Sequence, residues 1–500
     1  MGVRVLDVSL AGLALYLVVR LVCRSASLPP GPPGLPLIGN LRIIRAEAPH
    51  KTLGAMTSKY GKYHSSRSLG THYVFLNSTK AAKDICEQRS AITSNRPHLV
   101  LSHELIGWGS ATPFLPYGDM HRKHRKLFVR YLLANSNLVT FYPSEEAEAR
   151  RFIFSVLMNP DDLVAHCYRS TEAFILKISH GYSVKDGNDP LVEMSKRAIR
   201  NISETMAPGR FLVDFSRFVL RYLPEWFPGG SLHEDVKRGQ KLISEAVNGP
   251  YEFVLKNLAK GDAAPSLISQ LLREGVIGED KEILKWVSFG MYLAHQLQTP
   301  SMLSAFFLAM TMYPEVFKKA QAEVDTVVGN ERLPTMEDRD GLPYVNAICT
   351  ELLRWNVGIP LPAHVSTEDM IYEGYLIPKG SWLMPNVWYI LSNPETYPFP
   401  ETFDPERFLG ENQQPDPQEV CFGLGRRRCL GARLAESMIF IYIAMSLATL
   451  DVSRYAEDGV EWVPRYDIDE GMLRRVKPFK CKIAPRSSKV EDLRTRFDST

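Results

Sequence analysis

Apolar positions along the chain gather into three long runs and several short alternating stretches. From Val8 to Cys23 nearly every residue is apolar, with Leu10 to Val19 uninterrupted and Arg20 and Arg24 following. A spanning helix takes about 20 apolar residues, so this run suffices only if Arg20 snorkels its charge to the headgroups. Ser25-Ala26-Ser27 also fits a signal-peptide cleavage site. The arginines after the run and the stiff Leu28-Pro29-Pro30-Gly31-Pro32-Pro33-Gly34 favour an uncleaved anchor, a spacer, and a cytoplasmic remainder. A second run, Ile283 to Met312, predicts a long helix; His295, Gln296, Gln298 and Pro300 in its middle argue for a buried helix lining a cavity rather than a second span. The third, Leu434 to Leu450, is helical in period. After a short helix ending near Tyr60, Tyr63–Ser68 and Thr71–Leu76 flank Leu69-Gly70 as a hairpin, and Ser78 caps the next helix. Leu99 to Leu115 reads as an apolar loop holding Trp108 and Phe114. Phe211 to Gly230, rich in aromatics and prolines, suits either a bilayer interface or a core plug. The pattern predicts a mainly α protein with a small β region: an anchor over residues 1–24, a hinge over 25–40 and one large domain over 41–500.

Composition narrows the partners. The chain has 500 residues, 45% of them hydrophobic, enough for a large core. Its 59 Lys and Arg against 56 Asp and Glu leave a net charge of +3, which gives no electrostatic case for nucleic acid. The seven cysteines are scattered, without a Cys-x-x-Cys pair, and look like neither a disulfide framework nor a zinc site; a reducing compartment follows.

One cysteine stands apart. In Phe422-Gly423-Leu424-Gly425-Arg426-Arg427-Arg428-Cys429-Leu430-Gly431, Cys429 lies where a glycine-bearing loop gives way to a helix. Unpaired N–H groups and the helix dipole there are expected to lower its pKa and suit it to ligate iron; a lone cysteine can also be only a small buried hydrophobe. Phe422, Gly425, Arg427, Cys429 and Gly431 match Phe-x-x-Gly-x-Arg-x-Cys-x-Gly, and the chain resembles the cytochrome P-450 family of haem-thiolate enzymes over nearly everything after residue 28.

The resemblance implies haem b (iron protoporphyrin IX), with Cys429 as axial ligand pushing electron density to favour O–O cleavage, and Arg427 on an acidic edge of the cofactor. It implies a microsomal enzyme of fungal type, single-pass in the endoplasmic reticulum membrane with a cytosolic catalytic domain. Electrons would come from an NADPH-cytochrome reductase, and the substrate would be a lipophilic small molecule of secondary metabolism. Arg125 matches a propionate-binding arginine four residues after a tryptophan, which here is His121. Glu351, Arg354 and Arg407 would form a buried ion triad. Relatives carry His-Arg where this chain has His364-Val365, so one propionate contact is missing and Arg125 and Arg427 carry more. Asp469 to Leu473 occupies the place of a last substrate-facing turn. Arg426 and Arg428, with the basic stretch 122–126, form either a patch for an acidic electron donor or a plain solvated face.

The central helix departs from the family pattern. Where relatives have an acid and an alcohol that relay protons, Ala294-His295-Gln296-Leu297-Gln298-Thr299 offers Leu297 and Gln298. A leucine carries no proton and an amide is no acid near neutral pH, although it can hold water. Pro300 leaves the carbonyl of Gln296 without its helical donor, opening a turn for a water. Either Gln298, Thr299, His295 and ordered water replace the relay, or the reaction needs less of it, as in desaturation, coupling, cyclisation or rearrangement. A non-catalytic haem binder is the reading of a different class.

Overall fold

The computed structural model describes residues 27–36, 38–133, 137–185, 187–206, 231–457, 460–470 and 473–487. The expected anchor and the aromatic stretch 211–230 lie outside them, as do residues 471–472 of the last turn.

The described residues are mainly helical. The central helix, Glu279–Met312, forms the axis, and a helix over Leu163–His180 packs along it. Helices over Asn137–Met158 and Ala432–Thr449 close the same core, which Phe152, Phe306, Phe307 and Tyr442 fill without accessible surface above 1%. Ala432–Thr449 is long and apolar enough to cross a membrane, but 72% of it is buried in this core. Its all-round hydrophobicity is that of a core helix.

The predicted hairpin forms in register, Tyr63 opposite Leu76 and Ser68 opposite Thr71, with Leu69 at φ 46° and Gly70 at φ 85° in the turn. Ser78 accepts from the N–H of Ala81 as the cap. The hairpin extends into a four-stranded sheet through Trp382–Pro385, parallel to Thr71–Leu76, and His364–Val365. The proline-rich hinge is not a free spacer. It lies along the hairpin edge: Ser65 donates from its N–H to Pro30 and from its hydroxyl to Pro29, at 2.7 and 2.6 Å. A Cβ on Gly31 would stand 1.8 Å from the Ser65 carbonyl oxygen, so only glycine passes there.

The stretch read as an apolar loop is more ordered than expected. Val100–Ile106 makes a π-helical turn and Trp108–Ser110 a 3-10 turn. Trp108 is fully buried, with its indole N–H on Asn201 Oδ1 at 2.9 Å and its ring 6.0 Å from Phe289 of the central helix.

Candidate functional site

The cysteine loop turns on two glycines with left-handed backbone, Gly423 (φ 78°) and Gly425 (φ 54°). It closes when the N–H of Cys429 donates to the Phe422 carbonyl at 2.7 Å; Phe422 itself packs half-buried against the main core. The helix Ala432–Thr449 begins just beyond, with Gly431 as its N-cap. Cys429 is exposed although protein surrounds it. Burial pushes its thiol above the ordinary value, against the opposing N–H groups of Gly431 and Ala432 and the charge of Arg125. The lowered pKa expected from the helix terminus is therefore overturned for the free thiol: desolvation outweighs the dipole. The side chain is thus accessible and yet desolvated by the protein around it. Beside Gly431 a Cβ would meet only Cys429 Sγ, at 3.9 Å, so that side of the loop is open.

Near this loop the structure gathers cations. Arg427 is buried; its Nε donates to Ser94 O at 2.7 Å and its Nη2 to Leu115 O at 2.6 Å, while Nη1 is buried without a partner. Burial and the charges of Arg96 and Arg125 bring it down to about 9. Arg125 donates to Arg428 O at 2.9 Å. His121 is buried, its Nδ1 unpartnered, and burial followed by Arg427, Arg125 and Arg96 hold it down to about 3, so its ring is neutral. His364 bonds Thr93 O through Nδ1 at 3.1 Å and is held well below its usual value by burial, then Arg96. Arg96 is the residue the sequence reading missed. Its Nε donates to Pro113 O at 3.1 Å and its Nη1 to Ala363 O, one residue before His364; burial lowers it to about 10. Among the described residues no carboxylate acts on Arg96, Arg125 or Arg427.

Across the molecule the expected triad is assembled. Arg354 grips Glu351 with two bonds of 2.7 Å, and Arg407 Nε stands 3.4 Å from the same carboxylate. Both arginines also bind backbone carbonyls, Arg354 those of Leu391 and Thr402, Arg407 those of Pro398 and Phe399. The three side chains are all but inaccessible.

The family model described as "Cytochrome P450" matches residues 29–483. The chain belongs to the cytochrome P450 family. It is 40% identical to cytochrome P450 monooxygenase 208 of Postia placenta, over 95% of this chain and 93% of that one. It is 37% identical to cytochrome P450 monooxygenase claR of Ampulloclitocybe clavipes (98% and 92% covered). With the multifunctional cytochrome P450 monooxygenase af510 of Aspergillus fumigatus it shares 35% (95% and 91%). It is accordingly an oxidoreductase of the P450 monooxygenase type, and the family carries a haem-thiolate cofactor.

The residues present fit such a cofactor. An accessible thiol in a desolvated site, buried donors without partners on Arg427 and His121, and converging guanidiniums without a carboxylate suit a flat group with acidic edges.

On the central helix of this P450 the expected relay residues divide between two faces, Gln298 on one and His295 with Thr299 on another. Ala294 is exposed although Met291, Tyr292 and Leu293 around it are buried, so the face carrying Ala294 and, one turn on, Gln298 is accessible. His295 and Thr299 sit on another face. Thr299 Oγ1 lies 3.4 Å from His295 Nδ1, and the His295 ring is 6.3 Å from Phe174 of the helix over Leu163–His180. A turn of 100° per residue separates the two pairs, so His295 and Thr299 are drawn into the helix interface rather than toward Gln298. The helix runs through Pro300 without ending.

Proposed function

We propose that this P450 is a microsomal monooxygenase that oxidises a small lipophilic secondary metabolite. It would hold haem b through the Cys429 thiolate and take electrons from an NADPH-cytochrome reductase. The observation that carries the reading is the accessible Cys429 thiol with Arg125 acting on it, and Arg427 lying within the field of both Arg125 and Arg96, with no carboxylate among the groups acting on the three arginines. Arg427 Nη1 and the His121 ring supply donors to the propionates, Arg125 and Arg96 supply charge, and His364 and Phe422 keep the surrounding backbone in place. Arg96 stands in for the guanidinium that Val365 does not provide. Glu351, Arg354 and Arg407 brace the loops ahead of the cysteine. Residues 1–24 anchor the chain in the endoplasmic reticulum membrane and the hinge over 25–40 joins them to the domain.

When bound, the haem supplies reductive activation of dioxygen and its transfer to the substrate. The chain's own part is to donate charge through Cys429, hold the cofactor by its acidic edge and present the substrate from the face of Ala294 and Gln298. With Leu297 and Gln298 in place of an acid and an alcohol, protons reach this face through water, with the Gln298 amide orienting it. That same substitution favours a second reading, in which the product forms by desaturation, coupling, cyclisation or rearrangement without oxygen insertion.

The test is the reduced protein exposed to carbon monoxide. It should show the long-wavelength Soret band of thiolate-ligated haem, and Cys429→Ala should abolish it. A wild-type protein lacking the band, or a variant keeping it, refutes the assignment. Turnover with reductase, NADPH and labelled oxygen then separates the two readings: label in the product supports monooxygenation, and its absence supports the second.

A further inference from the structure

The amide of Gln298 is held in place without being satisfied. A Cβ built on Gly358 would stand 2.0 Å from Gln298 Oε1, 2.5 Å from its Cδ and 2.6 Å from its Nε2, so the whole amide lies flat on the Gly358 Cα. Only a glycine leaves that room. Gly358 in turn belongs to a fixed wall: its carbonyl accepts from the N–H of Arg474 at 2.8 Å, and the Arg474 guanidinium, 2% exposed, binds Val357 O at 3.2 Å and Glu470 at 3.0 Å. Gln298 Nε2 is nevertheless buried with no hydrogen-bond partner. A buried donor left unmade is destabilising, and this one stands on the face of the central helix that also carries the accessible Ala294.

We propose that Gln298 determines substrate specificity: its amide, positioned by Gly358, hydrogen-bonds an oxygen that the lipophilic substrate already carries as a hydroxyl or keto group. The preferred substrate class is then an oxygenated hydrocarbon skeleton rather than the bare hydrocarbon, and the reaction feeding this enzyme is one that installs oxygen. The inference rests on the substrate-presenting role given above to the Ala294 and Gln298 face. A site built to meet a substrate oxygen discriminates strongly against the analogue lacking it, because its own polar group is then left unpaired.

Matched probes test it on the full-length holoenzyme: borneol and camphor against bornane, and cedrol against cedrane, titrated by the ferric spin-state shift and by competition with a bound azole. Wild type should bind the oxygenated member about tenfold more tightly, the worth of one hydrogen bond. Gln298→Leu should bring the ratio close to one, and Gly358→Ala, which pushes the amide aside without removing it, should lower it too. The carbon monoxide band is recorded in each variant to show that the haem site is intact. A wild type that binds both members equally or binds none of them, or a Gln298→Leu that keeps the ratio, overturns the proposal. Loss of the band in wild type refutes the haem-thiolate reading instead, so the two failures are distinct.

Discussion

Glu145 is fully buried, and its Oε1 accepts from the Ser437 hydroxyl at 2.8 Å while Oε2 has no partner. Burial pushes it up to about 8, against the Ser437 hydrogen bond and the charge of Arg339. The folded state therefore keeps the proton after the unfolded chain has lost it. Stability present below about pH 4.5 falls as the pH rises toward 8, by roughly 3–5 kcal/mol over that window. Glu145→Gln keeps the acceptor for Ser437 and removes the slope, so its urea midpoint should gain on wild type between pH 5 and 8. A constant difference across that range contradicts it. If Arg96 serves the proposed haem edge, Arg96→Met should speed haem loss to apomyoglobin by about tenfold or more, as for a lost charge-assisted bond, and the penalty should vanish with haem dimethyl ester, whose propionates carry no charge. Cys429 and Arg427 can be picked out as candidates in the sequence because they stand in one short motif. Arg96 cannot, because its partners are the carbonyls of Pro113 and Ala363, the second 267 residues away, and a carbonyl leaves no mark in a sequence.

Local elements were read well where their causes are local. The hairpin matches its expected strands residue for residue because alternation and the Leu69-Gly70 turn lie within fourteen positions. The π-helical turn Val100–Ile106 has no such signature, and packing against Phe289 and Asn201 orders the segment after it. The central helix was placed but not oriented. It is buried on most sides, so no apolar stripe distinguishes the face of Gln298 from that of His295. In the cysteine loop, a Cβ on Gly425 would meet Cys86 O at 2.4 Å at a φ of 54°. Gly425→Ala should therefore lower haem content at expression far more than Gly70→Ala, whose Cβ meets nothing within 4 Å although its φ is also positive. Equal haem content in the two variants would show that the loop tolerates the displacement. Arg354→Met strands Glu351 and frees the carbonyls of Leu391 and Thr402; a cost of about 3–5 kcal/mol is expected in a denaturant titration of the holoprotein.

At the scale of the whole molecule, charge is distributed unevenly for a chain whose net charge is only +3. Arg122, Lys123, Lys126, Arg426 and Arg428 are all exposed near the cysteine loop, and Arg125 ties the basic helix Asp119–Phe128 to that loop through Arg428 O. Some of this charge is already spent locally: Arg122 pairs with Asp119, and Lys123 with Glu279 at 3.2 Å. Arg426 lies over the Tyr117 ring and receives no carboxylate among the ion pairs of the described residues. If an acidic reductase docks here, exposed charges more than a Debye length apart are screened at physiological salt, so the attraction acts chiefly on association. Flavin-to-haem electron transfer should then slow steeply as salt rises from 50 to 500 mM. Lys126→Glu and Arg428→Glu should each slow it by several-fold at low salt and lose most of that penalty at high salt, with the carbon monoxide spectrum unchanged. A salt-independent rate, or variants that slow transfer equally at both salt levels, would mean that these charges only keep the surface hydrated.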